Sequence, residues 1–286
     1  MLLTIGDLVE EILIQLSSEP RRGADTLVRS ARLRGGSGAN VAAIVAEGEG
    51  EVRYLGQTGD DTIGHVLADD LRRRGVEARI SHLGGTGVTV TTAGKGGRSR
   101  LVDRGASSRI TVIDTATLDG IDHVFVPASV FAADPLASAM DPLLALIRER
   151  RIPITLGAPG SADLDEIGGD AFRELVNTIE PDAVIVNRAE HAALGCDVRE
   201  RLYGARVTIV TAGARPTLVL GPSGAESVPV TPVPAIRDRT GVGDGFAAGF
   251  VMSRRTGADG VAATHAGHRV AARVLAHLGP TTGSRR

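Results

Sequence analysis

The segment AIRDRTGVGDGFAAGF, residues 235–250, places one carboxylate, Asp244, among glycines where a turn runs into a small, apolar, helix-like stretch. Gly241 and Gly243 free the amides of that turn to point at an anion, and the helix after them adds its positive end. A bound phosphate would repel Asp244, so the acid needs chemistry of its own. It has that chemistry if it takes a proton from an incoming hydroxyl while the amides stabilise a transferring phosphoryl group. The plainer alternative is an acid that only caps the helix. GGSGANVAA, residues 35–43, sets Gly35 and Gly36 before Asn40 in the first turn of a helix. Close approach of a ligand and a tight turn with an Asn cap both fit it. VNRAEHAALG, residues 186–195, puts Asn187 and Glu190 three apart at a strand-to-helix junction, where they also fit the two halves of a capping box.

Other candidates carry less. GKGG at 94–97 fails as a P-loop, since Thr89 stands where the first glycine belongs and Gly96 where Ser or Thr should be; a hairpin turn is expected there. GDGFAA, residues 243–248, matches G-x-G-x-x-A, but no βαβ unit with a ribose-binding acid surrounds it. His265 and His268 have ligand-like spacing without a third ligand and read as surface or packing residues. Cys196 is the only cysteine, so neither an internal disulfide nor a multi-cysteine metal site is available.

These residues need a scaffold, and the chain alternates apolar runs of strand length with segments of helix length. MLLTI, EVRYLG, HVFVP, IPITL, DAVIVN and RVTIVTAG read as strands. GANVAAIVAE, TIGHVLADDLRRRG, PLASAMDPLLALIRER, DAFRELVNTI and GDGFAAGFVMSRR read as the helices between them. Such alternation predicts an α/β fold with a buried, mainly parallel sheet covered by helices on both faces. Residues 12–34 and 80–104 break the rhythm with period-two pieces and Gly-rich turns, which predicts a small second sheet over the site, a lid. One domain spanning 1–286 is expected, with only the tail GPTTGSRR disordered.

Composition narrows the function classes. A net charge of −2 over 286 residues, with RRR at 72–74 the longest basic run, gives no reason to expect a nucleic acid or an acidic membrane as partner. MLLTIGDLVEEILIQL lacks the basic segment of a signal peptide, and no apolar run reaches the length of a membrane span, so a cytoplasmic protein is expected.

The order of the motifs is more specific than any one of them. The glycine pair with Asn40, TGDDTIG at 58–64, N-x-x-E at 187–190, VTAG at 210–213 and D-x-T-G-x-G-D at 238–244 together resemble the ribokinase-like (PfkB) carbohydrate kinases, from Gly6 to about Gly279. The resemblance implies a three-layer α/β/α fold with a β-sheet lid, and transfer of the ATP γ-phosphoryl group to a hydroxyl of a small sugar or sugar-like polyol. It implies Asp244 as catalytic base and Gly241, Val242 and Gly243 as an anion hole. Asn187 and Glu190 would organise Mg²⁺ and its waters, Thr211 and Gly213 would lie beside the nucleotide, and Asp238 and Thr240 would help hold a monovalent cation such as K⁺. On the acceptor side it implies Gly35, Gly36 and Asn40, with Glu11 where the family usually has an aspartate for sugar hydroxyls.

Five departures stand out. Glu11 is one methylene longer than the usual acid, and Arg239 and Val242 replace small residues. Pro216 stands where a glycine often follows VT-x-G. TLGAP at 155–159 also lacks the Asp or Asn often found at that strand end. A nucleoside kinase of the same fold is the nearest alternative, weakened by five Phe, two Tyr and no Trp, none of them in the two insertions. An inactive sugar- or nucleotide-binding regulator is a further one. A lid sheet with exposed edges also suggests a homodimer.

Overall fold

The computed structural model describes residues 1–94, 97–157 and 159–283. The N-terminal third comprises β1 (Leu2–Ile5), β2 (Val9–Leu16), β3 (Val28–Gly35), α1 (Ser37–Glu47), β4 (Val52–Thr58), α2 (Thr62–Arg73), β5 (Glu77–His82), β6 (Thr86–Gly94) and β7 (Gly97–Gly105). The middle contains β8 (His123–Pro127), α3 (Leu136–Ala139), α4 (Asp141–Glu149), β9 (Ile154–Gly157), α5 (Ser161–Ile167) and α6 (Gly169–Ile179). The last third contains β10 (Ala183–Asn187), α7 (Arg188–Ala193), β11 (Val207–Ala212), β12 (Arg215–Gly221), β13 (Gly224–Val228), α8 (Val242–Arg255) and α9 (Gly260–Leu275).

The large sheet has nine strands in the order β13-β12-β11-β10-β9-β8-β1-β4-β5. Pairing is parallel from β11 through to β5; the pairs β11–β12 and β12–β13 are antiparallel, with the β12–β13 hairpin on one edge. Successive strand residues feed opposite faces. Ala183 and Ile185 join the core under α1, α8 and α9, while Val184 and Val186 join the core under α4 and α6. Burial on both faces is why the strand runs are continuously apolar rather than alternating. Strand order reverses about β1: the chain moves one way to β4 and β5, then returns to β8 on the other side. In open α/β sheets, the carboxyl ends at such a reversal are where ligands bind.

The second sheet has four strands in the order β3-β2-β6-β7, with β2 and β6 parallel and the outer pairs antiparallel. It differs in extent from the two insertions expected to form it. It begins at Val9, because Val9, Glu10 and Glu11 pair with Gly35, Arg34 and Leu33. Residues 80–82 belong instead to β5 at the edge of the large sheet, paired with β4. Asp61 ties the two sheets together, capping α2 through Gly64 N (2.8 Å) and accepting Thr86 N (2.8 Å) and Thr86 Oγ1 (2.6 Å) at the start of β6. Those donors hold its carboxyl down at about 2. The turn expected at GKGG includes residues 95 and 96, which lie outside the described residues.

The expectation of a disordered tail fails over its described part. Thr281 Oγ1, Thr282 N and Thr282 Oγ1 all donate to the Glu47 carboxylate at 2.7–2.8 Å, and Pro280 O accepts from Arg34. A short polar segment is ordered when a buried carboxylate on the body of the fold needs its donors. No helix among the described residues is long and apolar enough to cross a membrane.

Candidate active site

Asp244 is the third residue of α8, and its half-buried carboxylate faces the first turn of α1. Ser37 donates to Oδ1, and Asn40 Nδ2 donates to Oδ2 at 2.8 Å. Asn40 is fixed in turn by Arg34 Nε on its Oδ1 (3.2 Å). Removal from water pushes the Asp244 carboxyl above its ordinary range, against the opposing pull of Ser37, Asn40, Arg100 and Arg34. A carboxylate so placed is a stronger base than one in water.

The turn before it is built by glycine and by the tail. Gly241 is the residue before α8 and has φ +75°; a Cβ there would stand 2.4 Å from Pro280 Cβ. Only glycine meets both demands. The amide of Gly245 reaches Gly241 O at 2.8 Å, the first proper bond of the helix, whereas Val242 N makes a long contact of 3.4 Å with Arg239 O. The amides of Gly243 and Asp244 belong to the first turn and have no carbonyl four residues back inside the helix. They stand at the positive end of α8, directly beside the acid.

Asp238 works behind this turn. Its Oδ1 accepts from Arg239 N, Thr240 N and Thr240 Oγ1, and its Oδ2 accepts from Gly279 N at 2.9 Å. With both oxygens spent on donors, Asp238 and Thr240 clamp the loop to the tail. No step proposed below uses a monovalent cation there.

Asn187 and Glu190 form the capping box of α7: Asn187 Oδ1 accepts from Ala189 N and Glu190 N, and Glu190 Oε2 accepts from Asn187 N at 2.7 Å. The capping arrangement leaves Glu190 buried with its other oxygen unbonded among the described residues. Burial pushes its carboxyl up to about 7, lowered somewhat by the Asn187 amide and raised further by Asp163. Such a poorly solvated carboxylate fits a cation held through waters, which is how Mg²⁺ commonly binds. Among the described residues no three His, Cys, Asp or Glu side chains gather around a metal position. Thr211 pairs with Asn187 across β10 and β11, at the carboxyl ends of these strands.

Two cavities flank this centre. One of about 600 Å³ lies between the small sheet and the carboxyl ends of β1 and β8, lined by Asp7, Gly36, Ser37, Arg100, Pro127 and Glu190 among others. The other, about 330 Å³ and mostly apolar, is lined by Gly213, Val230, Pro232, Val242, His268 and Ala271. His268 is held there by Thr217 (2.9 Å) and Pro229 O (3.0 Å), in keeping with a packing histidine. Pro216 lies in β12, past a register shift between Val210 and Ala212, so the chain turns at Gly213 and Ala214 before it.

Of the acceptor-side residues, Gly36 reaches the large cavity, while Gly35 ends β3 packed against Val9. Asn40 is turned to Asp244. Glu11 stands apart from the cavity, its Oε1 accepting from Thr91 Oγ1 (2.8 Å) and Arg98 Nη2 (3.3 Å). Asp7 lines the cavity, with Asp163 and Glu190, and burial pushes its carboxyl up to about 6 against the pull of Arg104. Sequence reasoning missed Asp7, Ser37 and the arginines of β7. The available signal was Gly6-Asp7 directly after an apolar strand.

This architecture is the ribokinase-like α/β fold. An adenosine kinase structure from Sinorhizobium meliloti superposes with a TM-score of 0.86 at 20% identity, covering 98% of this chain and 95% of that one. The family model for pfkB family carbohydrate kinases matches residues 4–285, and the chain belongs to that family. Among curated relatives, the ATP-dependent ribose-1-phosphate kinase of Halopiger xanaduensis is 27% identical over 267 residues, 90% of this chain and 86% of the relative. The ribokinase of Bacillus subtilis is 25% identical over 294 residues, 98% and 94% of the two chains.

Proposed function

We propose that this protein transfers the γ-phosphoryl group of Mg²⁺-ATP to a hydroxyl of a small sugar or sugar-like polyol. The observation that carries this reading is the Asp244 carboxylate, held by Ser37 and Asn40 beside the uncommitted amides at the start of α8. In the reaction, Asp244 takes the hydroxyl proton as the acceptor oxygen bonds to the γ-phosphorus. The bond from that phosphorus to the β–γ bridging oxygen breaks, and ADP leaves with the electron pair. The amides of Gly243 and Asp244 offset the charge on the transferring group. Mg²⁺, when bound through waters on Glu190 and Asn187, would neutralise charge on the phosphate oxygens. The apolar cavity at Gly213 suits an adenine ring, and the four-stranded sheet acts as the lid that excludes water.

The large cavity supports a polyol over a nucleoside, because its lining contains no aromatic side chain to stack on a base. The name of the Halopiger relative supports ATP as donor. Exposed Leu27 and Leu101, the latter on the edge strand β7, support a homodimer through the lid. Sedimentation should show a dimer that Leu101→Asp splits; a monomeric wild type would contradict it. The reaction is tested by ADP release against a panel of sugars, polyols and nucleosides. Release that requires both Mg²⁺ and a sugar is expected. Release driven by nucleosides alone would move the acceptor class, and none with any acceptor, despite ATP binding, would sink the reading.

A further inference from the structure

Resting on the reaction proposed above, we infer that the acceptor carries a second, anionic group, a phosphate ester or a carboxylate, gripped by Arg98 and Arg100 of the lid. Strand β7 reads GRSRLVDRG, so Arg98, Arg100, Val102 and Arg104 fall on one face, and all four line the large cavity. Arg98 and Arg100 are exposed on this strand, and both border the cleft at the carboxyl ends of the large sheet.

Their present partners differ. Arg104 is spent on the core side, on the Asp163 carboxylate and on Ser129 O at 2.6 Å. Arg98 has one long contact, 3.3 Å, with Glu11, which also holds Thr91. Arg100 has no carboxylate within ion-pair distance among the described residues. It lines the large cavity together with Asp7 and with Ser37, which bonds the Asp244 base, and it is not in the lining of the apolar cavity at Gly213. Its charge draws down the carboxyls of both Asp7 and Asp244.

Arg100 is exposed in this structure. An acceptor seated beside it takes water from its guanidinium, and one bearing only hydroxyls would leave that charge unpaired, which is costly. A phosphate or carboxylate beside the reacting hydroxyl removes the cost, and arginine's planar fork matches either group. Glu11 then has a role of its own: it holds Arg98 in the lid and so positions the anion site.

The test compares matched acceptors: ribose with ribose 1-phosphate and ribose 5-phosphate, and glucose with gluconate. Both kcat/KM with Mg²⁺-ATP and direct binding by calorimetry are measured, for wild type, Arg100→Gln and Arg100→Lys. At least one charged member should exceed its neutral counterpart by about tenfold to a hundredfold, the range of a charge-assisted hydrogen bond. Arg100→Gln should collapse that ratio, and Arg100→Lys should restore part of it. The phosphate and gluconate arms tell the two anions apart. Equal binding of charged and neutral members, no binding by any charged member, or an unchanged ratio in Arg100→Gln overturns the inference. Turnover of neutral sugars without anion preference overturns it alone and leaves the reaction standing. Arg100-dependent anion binding without any Mg²⁺-ATP turnover overturns the reaction alone.

Discussion

Glu190 is held as a helix cap and kept poor in solvation at once, and the two conditions have a measurable cost. Its carboxyl titrates near 7 in the folded chain instead of near 4.5. Between those values the folded state keeps a proton that the unfolded state has lost, so stability falls as pH rises through that window. Glu190→Gln keeps the capping geometry without the charge. It should therefore melt higher than wild type at pH 8, by on the order of 2 kcal/mol or roughly 5 °C, and the difference should vanish below pH 4.5. Differential scanning calorimetry across pH checks this; a difference that does not change with pH would contradict it. The same variant should lose Mg²⁺-ATP activity. At this scale the sequence made Asp244, Asn187 and Glu190 legible because each sits in a local motif, a turn or a cap. Asp7 was not legible in the same way. Its place in the cavity comes from the reversal of strand order at β1 and from the lid folding over it, and both are long-range facts. Glu11 shows the converse, since the family resemblance pointed to it but the lid strand turned it toward Thr91 and Arg98.

The start of α8 depends on two glycines with different duties. Gly241 has positive φ and lies against Pro280, whereas a Cβ at Gly243 would meet nothing within 4 Å. Gly241→Ala combines backbone strain of roughly 1–2 kcal/mol with a clash, and should lower Tm and cut kcat more than tenfold. Gly243→Ala should leave Tm within about 2 °C of wild type. Equal stability of the two variants would contradict this account of the turn. Helix-length and strand-length runs were readable where they were apolar and uninterrupted, as in β8, β10 and α1. The hairpin β12–β13 and the helix α5 were not. The first continues the sheet only through antiparallel pairing, and the short helix rests on its ends and tertiary packing rather than periodicity.

Across the whole molecule, the centre joins segments from the two ends of the chain. Asp244 in α8 meets Ser37 and Asn40 in α1, Arg34 reaches Pro280, and Glu47 gathers Thr281 and Thr282. The ordered tail is thus part of the wall behind the Gly241 turn, which explains why a Gly- and Thr-rich end that looks unstructured in isolation is fixed here. The cleft between the sheets lies at the carboxyl ends of the parallel strands, where the reversal at β1 leaves room. The account stands on the Asp244 carboxylate as proton acceptor in that cleft. Its most direct test is single-turnover phosphorylation by Asp244→Ala, with ATP affinity and melting temperature measured on the same sample. The predicted result is a rate at least about a thousandfold below wild type, within the range general-base removal gives, with ATP affinity and folding retained. Phosphorylation of the acceptor within tenfold of the wild-type rate would contradict it.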